Sequence, residues 1–526
     1  MSGSALEERD SSWRPRGNPW LIAVVVTLAA FMEVLDTTIV NVSLPHIAGT
    51  VGASYDEATW TLTSYLIANG IVLPISGWLG RLIGRKRYFL ICIAMFTACS
   101  FLCGMASSLG EMIIFRLLQG FFGGGLQPNQ QSIILDTFEP SQRGRAFSIV
   151  AVAVIVAPII GPTLGGWITD NYSWRWIFLI NVPVGVFTFF AVARLVEDPP
   201  WVVREHKEGD KRVDYIGLGL IALGLGCLEV MLDRGEDRDW FGSPSIVMFG
   251  FLAFVGIAGA IGWLLYTDKP VVNLRVYADR NFAVGSLVIF AIGAILYSSA
   301  VLIPQLAQQH FGYTALLAGL LLSPGALLVV LLIPIVAKVL LPHVQTRYII
   351  AFGFFSLGCA LLYARRLTAD ADFMTLAIIR AAQTFGLAFL FVPNSTITYS
   401  TLPKELNADA SALYTMLRNI AGSVGISLST AMVAEQTQAH RAYLAGHLTP
   451  FSQPYQDLLS RYSDTLRSLG HSADGALGMI NQTLNQQAAI LAYLDVFAVC
   501  AIAAFCIVPF TFLFRPSTSG SEPTMR

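Results

Sequence analysis

Apolar residues in this chain are gathered into long runs that polar connections separate. A helix crosses the hydrocarbon core of a bilayer with about 20 predominantly apolar residues. Fourteen windows of that kind occur, near residues 20–44, 58–80, 88–106, 112–135, 145–169, 176–196, 213–232, 245–266, 282–306, 314–338, 348–366, 373–396, 409–434 and 489–513. The alternating segments of about ten residues that are typical of membrane β-barrels do not occur in the sequence. The pattern predicts an all-α membrane protein with fourteen transmembrane helices.

The composition supports a membrane protein and narrows its chemistry. Of the 526 residues, 55% are hydrophobic and 13% are charged, about half the charged share of a soluble domain. A net charge of −1 gives no basic character that would suggest a nucleic-acid partner. The seven cysteines lie inside apolar runs, and neither Cys nor His residues cluster at metal-ligand spacing. The sequence also lacks an HExxH motif and a nucleophile paired with a base, so we expect neither a metal site nor an enzyme.

Lysine and arginine are distributed unevenly between the two sides of the predicted bundle. With the N-terminus inside, the inside connections hold 22 of them and the outside connections hold 8. The other three, Arg116, Arg380 and Arg418, lie within spans. The excess on one side predicts that both termini are cytoplasmic, in agreement with an even number of spans. The first apolar run is longer than the core of a signal peptide, so we expect it to be retained as a transmembrane helix.

Two carboxylates, Glu33 and Asp36, interrupt the first span in "FMEVLDTTIVNVSLP". A charge at the centre of a bilayer costs roughly 2.5–3.5 kcal/mol, so it needs a partner, a cavity or a function. Residues three apart lie on adjoining parts of one helix face. Two ionised carboxylates at that separation repel each other, so one is expected to bind a proton near neutral pH. The pair therefore predicts a proton-binding site. A polar cavity lining without a proton role and a hydrogen bond to a neighbouring helix are the alternatives.

Arg116 in the fourth span is the candidate counter-charge for this acidic pair, and Gln119 extends the same polar face. The glycines that follow allow close helix approach, which is a structural role as well as a possible ligand role. Acids elsewhere include Glu229 in the seventh span, which precedes "MLDRGEDRDW" and is expected near the outer surface. Polar residues of spans four and thirteen are the candidates for the wall of a substrate cavity: Gln119, Gln127, Asn129, Arg418 and Asn419.

The fifth span, "VAPIIGPTLGGWITD", combines prolines with glycines. Prolines are tolerated in membrane helices because other groups bond the freed carbonyls, and glycines let helices approach closely. We expect a bent helix that packs tightly and can pivot. The residues concerned are Pro158, Gly161, Pro162, Gly165 and Gly166.

The connection between spans thirteen and fourteen, residues 436–488, is an outside segment of 53 residues that is rich in Gln, Asn and Ser. Its apolar residues recur at roughly helical spacing. Two interpretations are open: a solvated helical excursion, or a docking surface for a partner outside the cytoplasm.

Five stretches resemble motifs of one transporter family, in the family's order. They are "LDTTIVNVSLP" (35–45), "GWLGRLIGRKR" (77–87), "RLLQG" (116–120), "APIIGPTLGG" (157–166) and "WRWIFLINVPVG" (174–185). They resemble the signature of span one, the loop motif between spans two and three, the basic motif of span four, the antiporter motif of span five and the entry to span six. The chain is identified as a member of the fourteen-span drug:proton antiporters of the major facilitator superfamily, in the EmrB-like branch. The resemblance covers nearly the whole chain.

Two positions depart from the family's pattern. The loop motif contains Gly77, Gly84, Arg85 and Lys86, but Arg81 stands where the family usually has Asp. We therefore assign no gating role to Arg81. The antiporter motif begins with Ala157 rather than Gly, a change that preserves close packing.

The resemblance implies two six-helix bundles, residues 20–196 and 281–513, the second of which includes the outside segment 436–488. Between them it implies a cytoplasmic linker and two extra spans within 197–280. The remaining residues, 1–19 and 514–526, would be cytoplasmic tails. It further implies that the bundles rock around a mid-membrane binding site.

The family's function implies export of amphipathic toxic compounds or drugs across a bacterial inner membrane. The proton gradient would drive export without a cofactor, and a periplasmic adaptor and an outer-membrane channel would be partners. Membrane lipid would surround the spans. In this interpretation Asp36, with Glu33, is the proton-responsive site, and Arg116 tunes its protonation. An exporter of one metabolite or natural product, a non-transporting membrane sensor and a proton-coupled importer remain alternatives, although the span-five motif favours export.

Overall fold

Helices account for all the regular structure in the parts of the chain that the computed structural model describes, residues 15–201, 213–369, 371–468 and 475–515. The predicted tails 1–19 and 514–526 lie mostly outside those ranges, as does part of the linker. The helices are α1 (Pro19–Val51), α2 (Trp60–Ile83), α3 (Arg85–Met105), α4 (Leu109–Gly123 and Leu126–Thr137), α5 (Pro140–Asn171), α6 (Trp176–Leu179 and Asn181–Leu195), α7 (Tyr215–Arg234), α8 (Pro244–Tyr266), α9 (Arg280–His310), α10 (Ala315–Leu320, Ser323–Ile335, Val336–Leu340 and Leu341–His343), α11 (Thr346–Ala364), α12 (Phe373–Ala388 and Phe391–Thr398), α13 (Asn407–His447), α14 (Gln453–Ser468) and α15 (Ala476–Thr511).

Eleven of these helices are long and apolar enough to cross a membrane, and α5, which bends by 43°, makes a twelfth if its two parts form one span. The other two predicted spans correspond to α4 and α13. The first part of α4 ends at Gly123, and α13 is less apolar than the others because polar residues occupy its buried turns. Because buried polar residues line α13 and the second part of α4, these helices lack the apolar signature of the others. The all-α membrane fold is confirmed, and the count of fourteen spans, which needs these two polar helices, stays a prediction.

The helices of the first and second halves pair in the same way. In the first half α1 packs on α5, α2 on α4 and α3 on α6, and in the second half α9 packs on α13, α10 on α12 and α11 on α15. This repeated pairing is what two six-helix bundles require, and the exact bundle bounds stay a prediction. The extra helices α7 and α8 pack on each other at Gly224 and Gly256, where a Cβ on Gly256 would lie 2.4 Å from the Gly224 nitrogen.

Contacts between the two bundles run through a few helices. The first bundle contributes α2, the second part of α4 and α5, while the second contributes α10, α12 and α13. At Gly77 the backbones of α2 and α13 are so close that a Cβ would lie 2.9 Å from the Ala408 carbonyl oxygen. Helix α7 touches both α2 and α13, so it lies along the seam between the bundles.

The described parts of the outside segment 436–488 are largely helical. Helix α13 continues through it to His447, α14 follows, and α15 begins within it at Ala476. Helix α14 packs against α15. The helical spacing in the sequence predicted this local structure, whereas a docking role stays a prediction.

Candidate functional site in the buried polar layer

Asp36 of α1 and Arg116 of α4 form a fully buried ion pair. Arg116 Nη1 donates to Asp36 Oδ2 at 2.5 Å, and neither side chain is exposed. Gln119 Nε2 and Asn181 Nδ2 both donate to Asp36 Oδ1 at 3.0 Å. The Arg116 Nε group donates to the Thr61 carbonyl oxygen at 3.0 Å. A charge pair of this kind is stable in a membrane only because its counter-charge and hydrogen bonds replace lost hydration.

Two glycines of α4 make room for this arrangement. A Cβ on Gly120 would lie 2.3 Å from the Tyr65 carbonyl oxygen, and one on Gly123 would lie 2.7 Å from the Tyr65 hydroxyl. Because α2 approaches so closely, the Tyr65 ring lies 4.2 Å from the guanidinium carbon of Arg116, within cation–π range. The glycine-rich stretch therefore has a structural role at the charge pair.

Glu33 lies one turn away from Asp36 in different surroundings. Its carboxylate accepts hydrogen bonds from Asn69 Nδ2 at 3.1 Å, from the Tyr65 hydroxyl at 3.4 Å and from Gln127 Nε2. Among the described residues, no cationic side chain is within ion-pair distance of Glu33. Asp36 thus has a full counter-charge, whereas the donors around Glu33 are neutral.

A chain of polar contacts connects Glu33 to the other bundle. Gln127 donates to Glu33, and its amide oxygen accepts from Arg418 of α13. Tyr65 contacts both Arg116 and Glu33, so it joins the two acidic groups. A change of charge at Glu33 can therefore reach both the Asp36 pair and the contact between bundles.

The predicted cavity residues separate into three groups. Gln119 belongs to the Asp36 cluster, and Gln127 and Arg418 bridge the bundles. Asn419 belongs with them, since its Oδ1 accepts a long hydrogen bond of 3.5 Å from Arg418 Nη2. Asn129 is buried and donates to the Gly125 carbonyl oxygen of its own helix at 2.7 Å, so it does not join the others.

The space between the bundles is small at this level. A cavity of about 10 Å³ lies at Gln131, Tyr414 and Arg418, which is about the size of one water molecule. The bundles are therefore closed against each other here, and a substrate would need them to separate.

The proline- and glycine-containing helix α5 packs directly on the helix that carries the acids. A Cβ on Gly161 would lie 2.2 Å from Thr38 Oγ1, and one on Gly165 would lie 2.7 Å from Ile39 Cγ1. The helix bends by 43° between Pro158 and residue 160. Pro162 and Gly166 follow within the second part of the helix. A movement of α5 would therefore act on α1 within one turn of Asp36.

The loop motif lies on the predicted cytoplasmic side, where charged pairs close the seam. Arg81 Nη1 donates to Asp409 Oδ2 of α13 at 2.6 Å. Arg85 pairs with Asp136, which also accepts from Asn407 Nδ2 at 3.2 Å. Arg81, to which we assigned no gating role from the sequence, therefore contacts an acid of the opposite bundle.

Two other residues of the loop motif, Gly84 and Lys86, stabilise the turn between α2 and α3. Gly84 has a φ of +93°, a conformation that favours glycine. Lys86 donates from Nζ to the Ala193 carbonyl oxygen at 2.8 Å and from its backbone N–H to Asp198 Oδ1 at 2.8 Å. Burial raises the pKa of Asp198, which follows α6, while that N–H and the nearby cations oppose the rise.

Further polar contacts strengthen this closure. Ser132 and Ser411 lie 3.0 Å apart across the seam. The Tyr399 hydroxyl donates to Gln131 Oε1 at 3.0 Å, and Arg143 donates to the Tyr399 carbonyl oxygen at 3.4 Å. The structure is thus closed on the side of the loop motif.

Several residues of the polar layer were not singled out from the sequence. Tyr65, Asn69 and Asn181 contact the two acids, and each is a polar residue inside an apolar span, which was the available signal. Glu229 lies in the last turns of α7, where it is buried and accepts from Ser423 Oγ of α13 at 2.8 Å. It is buried because α7 packs into the seam between α2 and α13.

Comparisons with known proteins agree on one family. Residues 26–426 match the family model of the Major Facilitator Superfamily. The chain is 38% identical over 478 residues to the multidrug export protein EmrB of Escherichia coli strain K12, with 91% of each chain covered. It is 37% identical to the protein of that name from Haemophilus influenzae, over 92% of this chain and 93% of the other. It is 34% identical to the fatty acid resistance protein FarB of Neisseria gonorrhoeae, over 94% and 96%.

Solved structures show the same fold at low sequence identity. The human organic anion transporter MFSD10 matches with a TM-score of 0.57 and 12% identity, covering 93% of this chain and 100% of the other. An auto-inhibited peptide transporter of the POT family matches with a TM-score of 0.56 and 18% identity, over 95% and 97%.

Proposed function

Because the chain belongs to the Major Facilitator Superfamily and, within it, to the group of EmrB multidrug export proteins, we propose that it exports amphipathic toxic compounds across the bacterial inner membrane in exchange for protons. Multidrug export is what the names of its relatives from Escherichia coli and Haemophilus influenzae state. The proton gradient is the energy source in this proposal, and no cofactor takes part.

The proposal rests on one observation: the two buried acids have different partners. Asp36 is matched by Arg116, whereas Glu33 is surrounded by neutral donors and connected through Gln127 to Arg418. A buried carboxylate with no cation in direct contact is stabilised by taking up a proton, because burial disfavours its charged form. Glu33 therefore exchanges the proton, and Asp36 fixes the position of Arg116 beside it.

The transport cycle follows from this charge balance. In the conformation described, the Arg81–Asp409 contact closes the cytoplasmic side. A proton arriving from the outside neutralises Glu33, which weakens its bond with Gln127 and hence the attachment to Arg418. The bundles can then separate on the cytoplasmic side, with α5 bending against α1. A cationic substrate from the cytoplasm binds as the proton leaves, because both compete for the same negative charge.

Topology and partners complete the proposal. Both termini are cytoplasmic, since 22 Lys and Arg lie in the inside connections against 8 outside. The end of α13, α14 and the start of α15 then lie outside. Tyr443 of α13 and Phe451 after it are exposed apolar groups in this region. We propose this segment as the surface that binds a periplasmic adaptor, which in turn contacts an outer-membrane channel.

A flux assay tests the proposal. Purified protein in liposomes with an imposed pH gradient should move a cationic dye in exchange for protons, and Glu33→Gln and Asp36→Asn should each abolish coupled transport. Glu111→Gln is the matched control, because Glu111 is an exposed acid at the outer end of α4 whose bonds are local. Dye binding without flux would support a sensor instead, and transport of one metabolite alone would support a dedicated exporter.

A further inference from the structure

The second bundle buries an arginine for which the described part of the chain supplies no counter-charge. Arg380 of α12 has no exposed surface, and its Nη1 donates to Ser299 Oγ at 2.7 Å and to Gln383 Oε1 at 3.5 Å. No carboxylate among the described residues pairs with it. Helices α9, α10 and α11, which pack against α12, contain no Asp or Glu at all. Such a charge is costly unless an anion accompanies it.

The first bundle contains a corresponding arginine, Arg116, which has a carboxylate partner. Arg116 is followed three residues later by Gln119 and then by the pair Pro128 and Asn129. In the second bundle Arg380 is also followed three residues later by Gln383, and a Pro–Asn pair, Pro393 and Asn394, comes at a spacing one residue longer. Both arginines lie on the helices that repeat each other in the two halves, α4 and α12.

The hydrogen bonds of the two sites differ at one point. In the first bundle Arg116 Nη1 and Gln119 Nε2 donate to the two oxygens of the Asp36 carboxylate. In the second bundle the residue of α9 facing Arg380 is Ser299, a neutral group. Two donors, Arg380 Nε and Gln383 Nε2, are buried there without an acceptor.

We propose that Arg380 and Gln383 bind a monovalent anion that takes the place of the missing carboxylate. The guanidinium supplies the charge and the Gln383 amide supplies a neutral donor, a set that suits a small anion. Ser299 accepts from Arg380 and donates to the Leu296 carbonyl oxygen at 3.1 Å, so it positions the guanidinium beside the ion. All three side chains are less than a tenth exposed, so the ion must be small enough to enter an enclosed site. Chloride and small carboxylates share this chemistry. The inference goes beyond the proposed export function and does not depend on it.

Thermal unfolding in gluconate buffer, with chloride, bromide or acetate added, tests the site without any transport assay. Wild-type protein should gain stability with saturable dependence on the anion, and Gln383→Leu should raise the apparent dissociation constant at least tenfold. Arg365→Gln is the control, since it removes an exposed arginine from the same half. Comparing chloride with acetate distinguishes a halide from a carboxylate ligand. A wild-type melting temperature that does not respond to any of the three anions would overturn the proposal.

A second variant tests the site without removing Arg380, whose loss could prevent folding. Ser299→Asp places a carboxylate opposite Arg380, as Asp36 does opposite Arg116, so its stability should no longer depend on added anion. The bromide position in an anomalous diffraction experiment should lie in contact with Gln383 Nε2. An unchanged anion response in both Ser299→Asp and Gln383→Leu would show that the anion binds elsewhere and would refute the site.

Discussion

Arg81 and Asp409 lie 328 positions apart in the chain, yet their side chains meet at 2.6 Å across the seam between the two bundles. Asp409 is almost fully buried, and Arg81 is about one-quarter exposed. The contact joins α2 to α13 on the side of the loop motif. It therefore holds the two bundles together on that side.

Reversing the two charges tests this closure. Arg81→Asp and Asp409→Arg should each place like charges together, and each should lower export about tenfold, equivalent to about 1.4 kcal/mol at a partly exposed pair. The double variant Arg81→Asp with Asp409→Arg should recover most of the activity, because the attraction is restored with opposite polarity. Hydrogen exchange of the second part of α4 should rise in the single variants and fall again in the double variant. Additive losses in the double variant would show that the pair does not close the seam.

The close approach of α2 to α4 gives a second prediction. Gly120→Ala places a methyl group 2.3 Å from the Tyr65 carbonyl oxygen, which is backbone and cannot turn away. We expect a loss of about 1–3 kcal/mol in the free energy of unfolding and a loss of export, measured by thermal unfolding and dye efflux.

The same helix supplies the control for that substitution. Gly110 lies on α4, and no other group lies within 4 Å of the point that a Cβ would occupy there. Gly110→Ala should therefore leave stability unchanged or slightly increase it, since alanine favours a helix over glycine. Equal losses in the two variants would mean that glycine matters for helix flexibility and not for the approach of Tyr65.

Glu229 gives a third prediction, because its carboxyl group is buried against the Ser423 hydroxyl and no described cation pairs with it. Glu229→Gln keeps a hydrogen-bonding group without the charge, so folding and export should both be retained. Glu229→Ala removes the partner of Ser423 and should cost about 1–3 kcal/mol in the free energy of unfolding. Thermal unfolding of the two variants distinguishes them. If Gln destabilises the protein as much as Ala, Glu229 is required as an ionised carboxylate.

Most of the fold followed from the sequence, because the bilayer sets a minimum length for each apolar helix. The polar helices α4 and α13 were predicted because each still contains a window of mostly apolar residues, near 112–135 and 409–434. Arg116 was the predicted counter-charge of the acidic pair, and it contacts Asp36. The other pairings depend on which helix faces meet, so the partner of Arg81 and the burial of Glu229 became evident only in three dimensions. Asn181 and Tyr65 likewise act through contacts between distant segments.

The most direct test of the central claim is proton release when a cationic substrate binds to purified protein in weakly buffered detergent solution. Substrate and proton compete for the negative charge of Glu33 in our account. Wild-type protein should therefore release protons on binding, while Glu33→Gln should bind the substrate without releasing any. Glu111→Gln should behave like the wild type. Undiminished proton release from Glu33→Gln would contradict the account, because the proton would then come from another group.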